Sequence, residues 1–171
     1  MVYSPKRNKK GFVASAALLA IFAVMSASSP AIENYGGIVS AVSLLFLVAS
    51  LFSMIRYCIS KYAYEITSET LVITKITGQR KTNVASMLLI TALGVEKTPE
   101  TNAERATLVE KYGKIDAKMD CRTNLFAKTY SYITEFNGAV YEIKIEADEP
   151  FAEALRNAVA DARRRSGEND L

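Results

Sequence analysis

Nucleophilic catalysis of the Ser-His or Cys-His kind needs a base beside the nucleophile, and the 171 residues contain no histidine and only two cysteines, Cys58 and Cys121. The same absence argues against zinc or haem, which need clustered histidine, cysteine or carboxylate ligands. No cofactor or metal is expected. The eight glycines are scattered, so no glycine-rich phosphate loop is present. Two carboxylate pairs, Asp116 with Asp120 and Glu142 with Glu146, are of the right type for general acid–base work. Their even spacing puts each pair on one face of a strand, which we take as the solvent face, so no enzyme is expected. The residues best suited to binding are Lys75, Arg80 and Lys81 around Gly78. Near an anionic lipid surface each would contribute about 1 kcal/mol; otherwise they are an ordinary solvated hairpin tip. Tyr130, Tyr132, Phe136 and Tyr141 can line a peptide or ligand groove, but the simpler reading packs them under a C-terminal helix.

The elements that position these residues begin with two charge-free apolar runs, Gly11 to Ile32 and Asn34 to Ile55, separated by Glu33. Each exceeds the ~20 residues needed to cross a bilayer. The chain therefore divides into a basic N-terminus (1–10), a transmembrane hairpin (11–57, helices about 11–30 and 36–57), a domain over 61–165 and a tail over 166–171. Lys6, Arg7, Lys9 and Lys10 precede the first run, Arg56 and Lys61 follow the second, and the turn has no Lys or Arg. The positive-inside rule makes this a multi-pass plasma-membrane protein with both termini and the domain in the cytoplasm. A basic start and small residues around Ser26 to Ser28 also resemble a signal-peptide processing site, with the second run then acting as a stop-transfer anchor. Ala16 and Ala20, Ala23 and Ala27, and Gly37 and Ala41 recur four apart, a spacing that lets helices approach closely in lipid. They would pack the hairpin together or, alternatively, join copies in a homo-oligomer. No ionisable residue interrupts either run, which argues against transport. The net charge of +3, without a basic stripe, argues against nucleic acid. A cytosolic domain keeps both cysteines reduced; Cys58, at the membrane edge, is a filler or a lipidation site.

From Tyr62 the pattern becomes period-two alternation, the mark of half-buried strands. Strands are expected over Tyr62–Thr67, Thr70–Thr77, Arg80–Ser86, Met87–Val95, Ile115–Arg122, Thr129–Phe136 and Tyr141–Glu146, with Thr98–Lys111 a loop or short helix. Asn137-Gly138 accepts positive φ at both central positions of a type I′ hairpin turn. Asp148 can cap a closing helix that buries Phe151, Leu155 and Val159, has Arg163, Arg164 and Arg165 at its dipole-favoured end and ends near Gly167. Seven antiparallel strands and one capping helix make a mainly-β barrel or sandwich.

This order, together with Lys61-Tyr-Ala-Tyr-Glu-Ile-Thr-Ser-Glu-Thr-Leu-Val-Ile, resembles the bacterial pleckstrin-homology-like domains that follow a pair of membrane helices. Cys121-Arg-Thr-Asn-Leu-Phe-Ala-Lys-Thr-Tyr, Asn137-Gly138, Tyr141-Glu-Ile-Lys-Ile-Glu and Asp148-Glu-Pro-Phe are similar to uncharacterised membrane proteins of low-GC Gram-positive bacteria. The resemblance covers roughly residues 10 to 160. It implies a pleckstrin-homology-like seven-stranded barrel, and a binding or scaffolding role by analogy; it carries over no functional residues. Eukaryotic pleckstrin-homology domains often grip lipid phosphates with basic residues in early strand turns, which directs attention to Lys75, Arg80 and Lys81. The expectation is a membrane-anchored interaction module that binds a protein partner or lipid headgroups. The alternative is an accessory subunit of a larger membrane complex that works through its hairpin.

Overall fold

The computed structural model describes residues 1–31 and 35–168; the expected turn at Glu33 and the end of the tail lie outside them. Two helices, α1 (Lys10–Ser28) and α2 (Gly36–Ser53), form an antiparallel pair. With their flanking helical turns they extend over Lys10–Ala31 and Gly36–Ile59, both long and apolar enough to cross a membrane. The buried side chains of the pair are serines, and large apolar side chains cover its outside. Phe12, Val24, Leu45 and Phe52 are each 67–71% exposed, whereas Ser15, Ser29, Ser43 and Ser50 are buried. Ser50 Oγ donates to Ser15 O (2.8 Å), Ser15 Oγ lies 3.1 Å from Ser53 Oγ, and Ser29 Oγ lies 2.6 Å from Ser40 Oγ. The expected small-residue pairs do not join the helices: Ala16, Ala20, Ala23, Ala27, Gly37 and Ala41 all face outward. Close approach occurs instead at Gly11, where a Cβ would stand 2.6 Å from Tyr57 Cβ.

The strand-rich domain has two open sheets. The first contains β1 (Val2–Tyr3), β2 (Ser60–Ile66), β3 (Thr70–Thr77) and β4 (Arg80–Leu88), in that order and antiparallel. The second is built from β5 (Ala92–Lys97), β6 (Ala117–Asp120), β7 (Thr129–Phe136) and β8 (Ala139–Glu146), in the order β5-β7-β8-β6. Its β6 runs parallel to β8. Of the expected seven-stranded barrel or sandwich, the strands form two sheets, neither of which closes into a barrel, and with the helices the architecture is mixed α/β. The expected strand over Met87–Val95 is broken by a helical turn at Leu89–Thr91, where the chain passes from one sheet to the other. The first residues, basic flank by sequence, supply β1 at the edge of β2. Asn137 (φ 52°) and Gly138 (φ 76°) form the expected two-residue turn.

Two helices cover the sheets. Asp148 caps α4 (Glu149–Glu168) by accepting from Phe151 N (3.0 Å). Its Phe151, Leu155 and Val159 join Tyr64, Leu71, Ile73, Tyr132 and Ile145 in one core shared by both sheets. The helix reaches Glu168, one residue past Gly167. α3 (Asn102–Tyr112) occupies the stretch expected to be a loop or short helix, and a full capping box between Thr101 and Glu104 starts it. It lies on the outer face of the second sheet, where Tyr112 packs over Gly94.

Candidate functional site

The hairpin meets the domain at the start of α1 and the end of α2, and the polar contacts of the junction concentrate there. Asn124 fixes the N-terminal segment: its Oδ1 accepts from Asn8 N (2.6 Å) and its Nδ2 donates to Lys6 O (2.8 Å) and to Glu146 Oε1 (2.6 Å). Glu146 Oε2 accepts from the backbone N of Thr123 and of Asn124. On the other side Arg56 donates to Tyr62 Oη (2.6 Å) and pairs with Asp120 (3.1 Å), which Arg122 also clamps with two nitrogens. Burial pushes the Asp120 carboxyl upward, but its hydrogen bonds from Arg122 and both cations outweigh that and hold it below the usual carboxylate range.

Between the N-terminal segment and the first sheet is a cleft of about 560 Å³ lined by Ser4, Pro5, Lys6, Arg7, Ile59, Lys61, Ile76 and Gly78. Its charged lining is wholly basic. Arg7 Nη2 donates to Ile59 O (3.2 Å) and Ser60 O (3.4 Å), so its guanidinium is held where α2 gives way to β2. The β3–β4 tip is level with this point, because Thr77 pairs with both Ser60 and Arg80. Beside the junction, exposed Phe126 (75%) has φ 57°, and its neighbour Leu125 accepts from Asn8 Nδ2 through its carbonyl.

None of Lys75, Arg80 and Lys81 lines the cleft, and the register separates them. Lys75 pairs with Tyr62 and Arg80 with Thr77, on the inward face; Lys81 pairs with Ile76, itself paired with Lys61, on the outward face. Lys81 alone thus shares a cross-strand row with the cleft. Lys6, Arg7 and Lys61 are visible in the sequence as flanking positives, but that alone did not show that residue 6 folds back beside residue 61.

Of the carboxylates expected on solvent faces, Asp116 is exposed and Asp120 partly so, but the two glutamates are not. Glu142 is completely buried and Glu146 nearly so, because α3 covers the outer face of the second sheet and the N-terminal segment covers its end. Ser131 Oγ donates to Glu142 Oε1 (2.7 Å), and Arg105 of α3 brings Nη1 to 2.7 Å from Oε2. The angle at that second contact is not that of a hydrogen bond, and Arg105 Nη2 has no partner among the described residues, so charge attraction holds the pair. Asp116 accepts from Val140 N (2.9 Å). Among the described residues no three cysteine or carboxylate side chains converge as a metal site. The tyrosine-rich set divides: Tyr130 and Tyr132 are core, whereas Phe136 is 63% exposed and lines an apolar groove with Tyr141. Comparison of the chain with protein-family models, curated proteins and solved structures finds no match.

Proposed function

We propose that the chain is a membrane-anchored binding module whose pleckstrin-homology-like domain is held at the inner face of the plasma membrane, with both termini in the cytoplasm, and engages anionic headgroups there. One observation carries this reading: the cleft formed by Lys6, Arg7 and Lys61 lies where two outwardly apolar helices enter the domain, and no carboxylate lines it. Outward apolar and inward serine side chains suit a hydrocarbon solvent, and the packing of α1 on α2 favours a retained first helix. Phe126 beside the start of α1 is placed to enter the interfacial zone, where aromatic residues concentrate. Two four-stranded sheets with a closing helix support the pleckstrin-homology-like architecture in an open form.

At about 1 kcal/mol for each cation, losing two and reversing their sign should weaken an anionic headgroup by tenfold or more. The full chain is reconstituted in mixed phosphatidylcholine and phosphatidylglycerol and extracted in mild detergent, and the retained lipid is quantified. Phosphatidylglycerol should be enriched over its bulk fraction, and the enrichment should vanish in Lys6→Glu with Lys61→Glu while survival of Arg80→Glu is near normal. Retained lipid of bulk composition in the unmutated chain would sink the headgroup reading.

A further inference from the structure

Two sheets have four edges, and a free edge offers unpaired backbone groups to any extended chain. Two of the four are protected. The β1 edge is only two residues long (Val2–Tyr3), and α4 covers the outer edge of β5 with arginines: Arg156 Nε donates to Val95 O (3.1 Å), and Arg163 Nη2 donates to Ala92 O and Leu93 O. The other two edges, β4 and β6, have no strand partner on their outer side. They border the same groove, about 590 Å³ in volume, with Ala85, Met87 and Leu88 on one wall, Met119 on the other, and Phe136 and Tyr141 beyond. That volume lies within the range of ligand sites. Leu88 (50%), Met119 (39%) and Phe136 (63%) are exposed there.

We propose that this groove binds an extended segment of a partner protein, which adds as a strand to an open edge, sets alternate apolar side chains into the groove and directs carboxylates outward. Main-chain hydrogen bonding by an exposed edge combined with pockets for alternate side chains is the mode of strand addition. Charge selects the acidic partner. Glu142 in the lining is committed to Arg105, and Lys118, the other charged lining residue, forms no ion pair among the described residues. β4 adds Arg80 and Lys81 nearer the hairpin tip. A lipid acyl chain is a poor occupant. At about 3.3 Å per residue, Ala85 to Leu88 lie roughly 17 to 26 Å along β4 from Arg80, which is level with Ser60, the residue that follows the second apolar span.

The probe is a fluorescent peptide of about seven residues alternating glutamate with valine or isoleucine, titrated by anisotropy against the full chain in nanodiscs of phosphatidylcholine. Saturable binding is expected. Methylating alternate amide nitrogens removes one hydrogen-bonding edge and should weaken it roughly tenfold or more. Lys118→Glu, a change at an exposed position, should weaken it severalfold and improve binding of the lysine-for-glutamate peptide. Absence of saturable binding, equal affinity for the methylated peptide, or a self-associated chain from which the peptide displaces nothing would each overturn the proposal. Binding here does not depend on Lys6 or Lys61, so it stands or falls separately from headgroup retention.

Discussion

Glu142 shows how one residue can be read correctly along the strand and wrongly across it. The alternation of Tyr141, Ile143 and Ile145 against Glu142, Lys144 and Glu146 does describe β8, but it says only that the glutamates share a face. α3 makes that face a second interior, with Glu142, Ser131 and Ile133 all fully buried. A carboxylate there is tolerable because Arg105 neutralises it and Ser131 donates to it. Removing one member of a buried pair typically costs about 3–5 kcal/mol because the other charge is left uncompensated. Arg105 remains 24% exposed, which places the expected loss for Arg105→Met at or just below the bottom of that range, about 2–3 kcal/mol. Adding Glu142→Leu should restore most of it, since no charge is then stranded. Urea denaturation of the full chain in detergent, followed by tyrosine fluorescence, measures both. A single variant as stable as the parent would mean that the pair does not fasten α3.

Among elements, those that specify themselves locally were legible and those defined by a distant partner were not. Asn137-Gly138 needs only its own φ preferences, and α4 needs only Asp148 and its apolar stripe; both are as expected. α3 had a local sign as well, the Thr101-x-x-Glu104 capping box, but its polar composition hid the face that rests on the sheet. The apolar run Met87 to Val95 could not reveal its corner, because Leu89 is equally apolar in a strand or in a turn between sheets. The hairpin gives the plainest case. Small residues spaced by four invite close packing, yet serines and Gly11 form the actual contact, and which face is inner is decided only by the second helix. With Ser15 and Ser53 side chains in contact, Ser15→Cys with Ser53→Cys should oxidise to an intrachain crosslink. Gly11→Leu would push α1 off Tyr57 and should cut the yield of that crosslink severalfold, read by gel mobility of a Cys58→Ser background. Unchanged crosslinking would show that α1 packs without needing the glycine.

For the whole molecule, the side of the membrane on which the domain lies decides what the basic cleft at its base and the two open sheet edges can meet. The proposed topology, argued from positive residues at both ends of the hairpin and none in its connection, would put the domain inside, where anionic lipid and cytosolic partners are found. The native cysteines are poor reporters of this. Cys121 is fully buried, and burial pushes its thiol up to about 11, so little reactive thiolate forms at neutral pH; Cys58 lies within the second apolar span. Two exposed positions serve better: Tyr35, 63% exposed at the far end of the hairpin, and Lys118, on the open edge of β6. In a Cys58→Ser background, a membrane-impermeant maleimide applied to intact cells should modify Tyr35→Cys at once and spare Lys118→Cys until the membrane is permeabilised. The opposite pattern would put the domain outside, where the cleft would face the outer leaflet. The inner-face headgroup reading would then fail, while the groove between β4 and β6 would keep its geometry and require an extracytoplasmic partner.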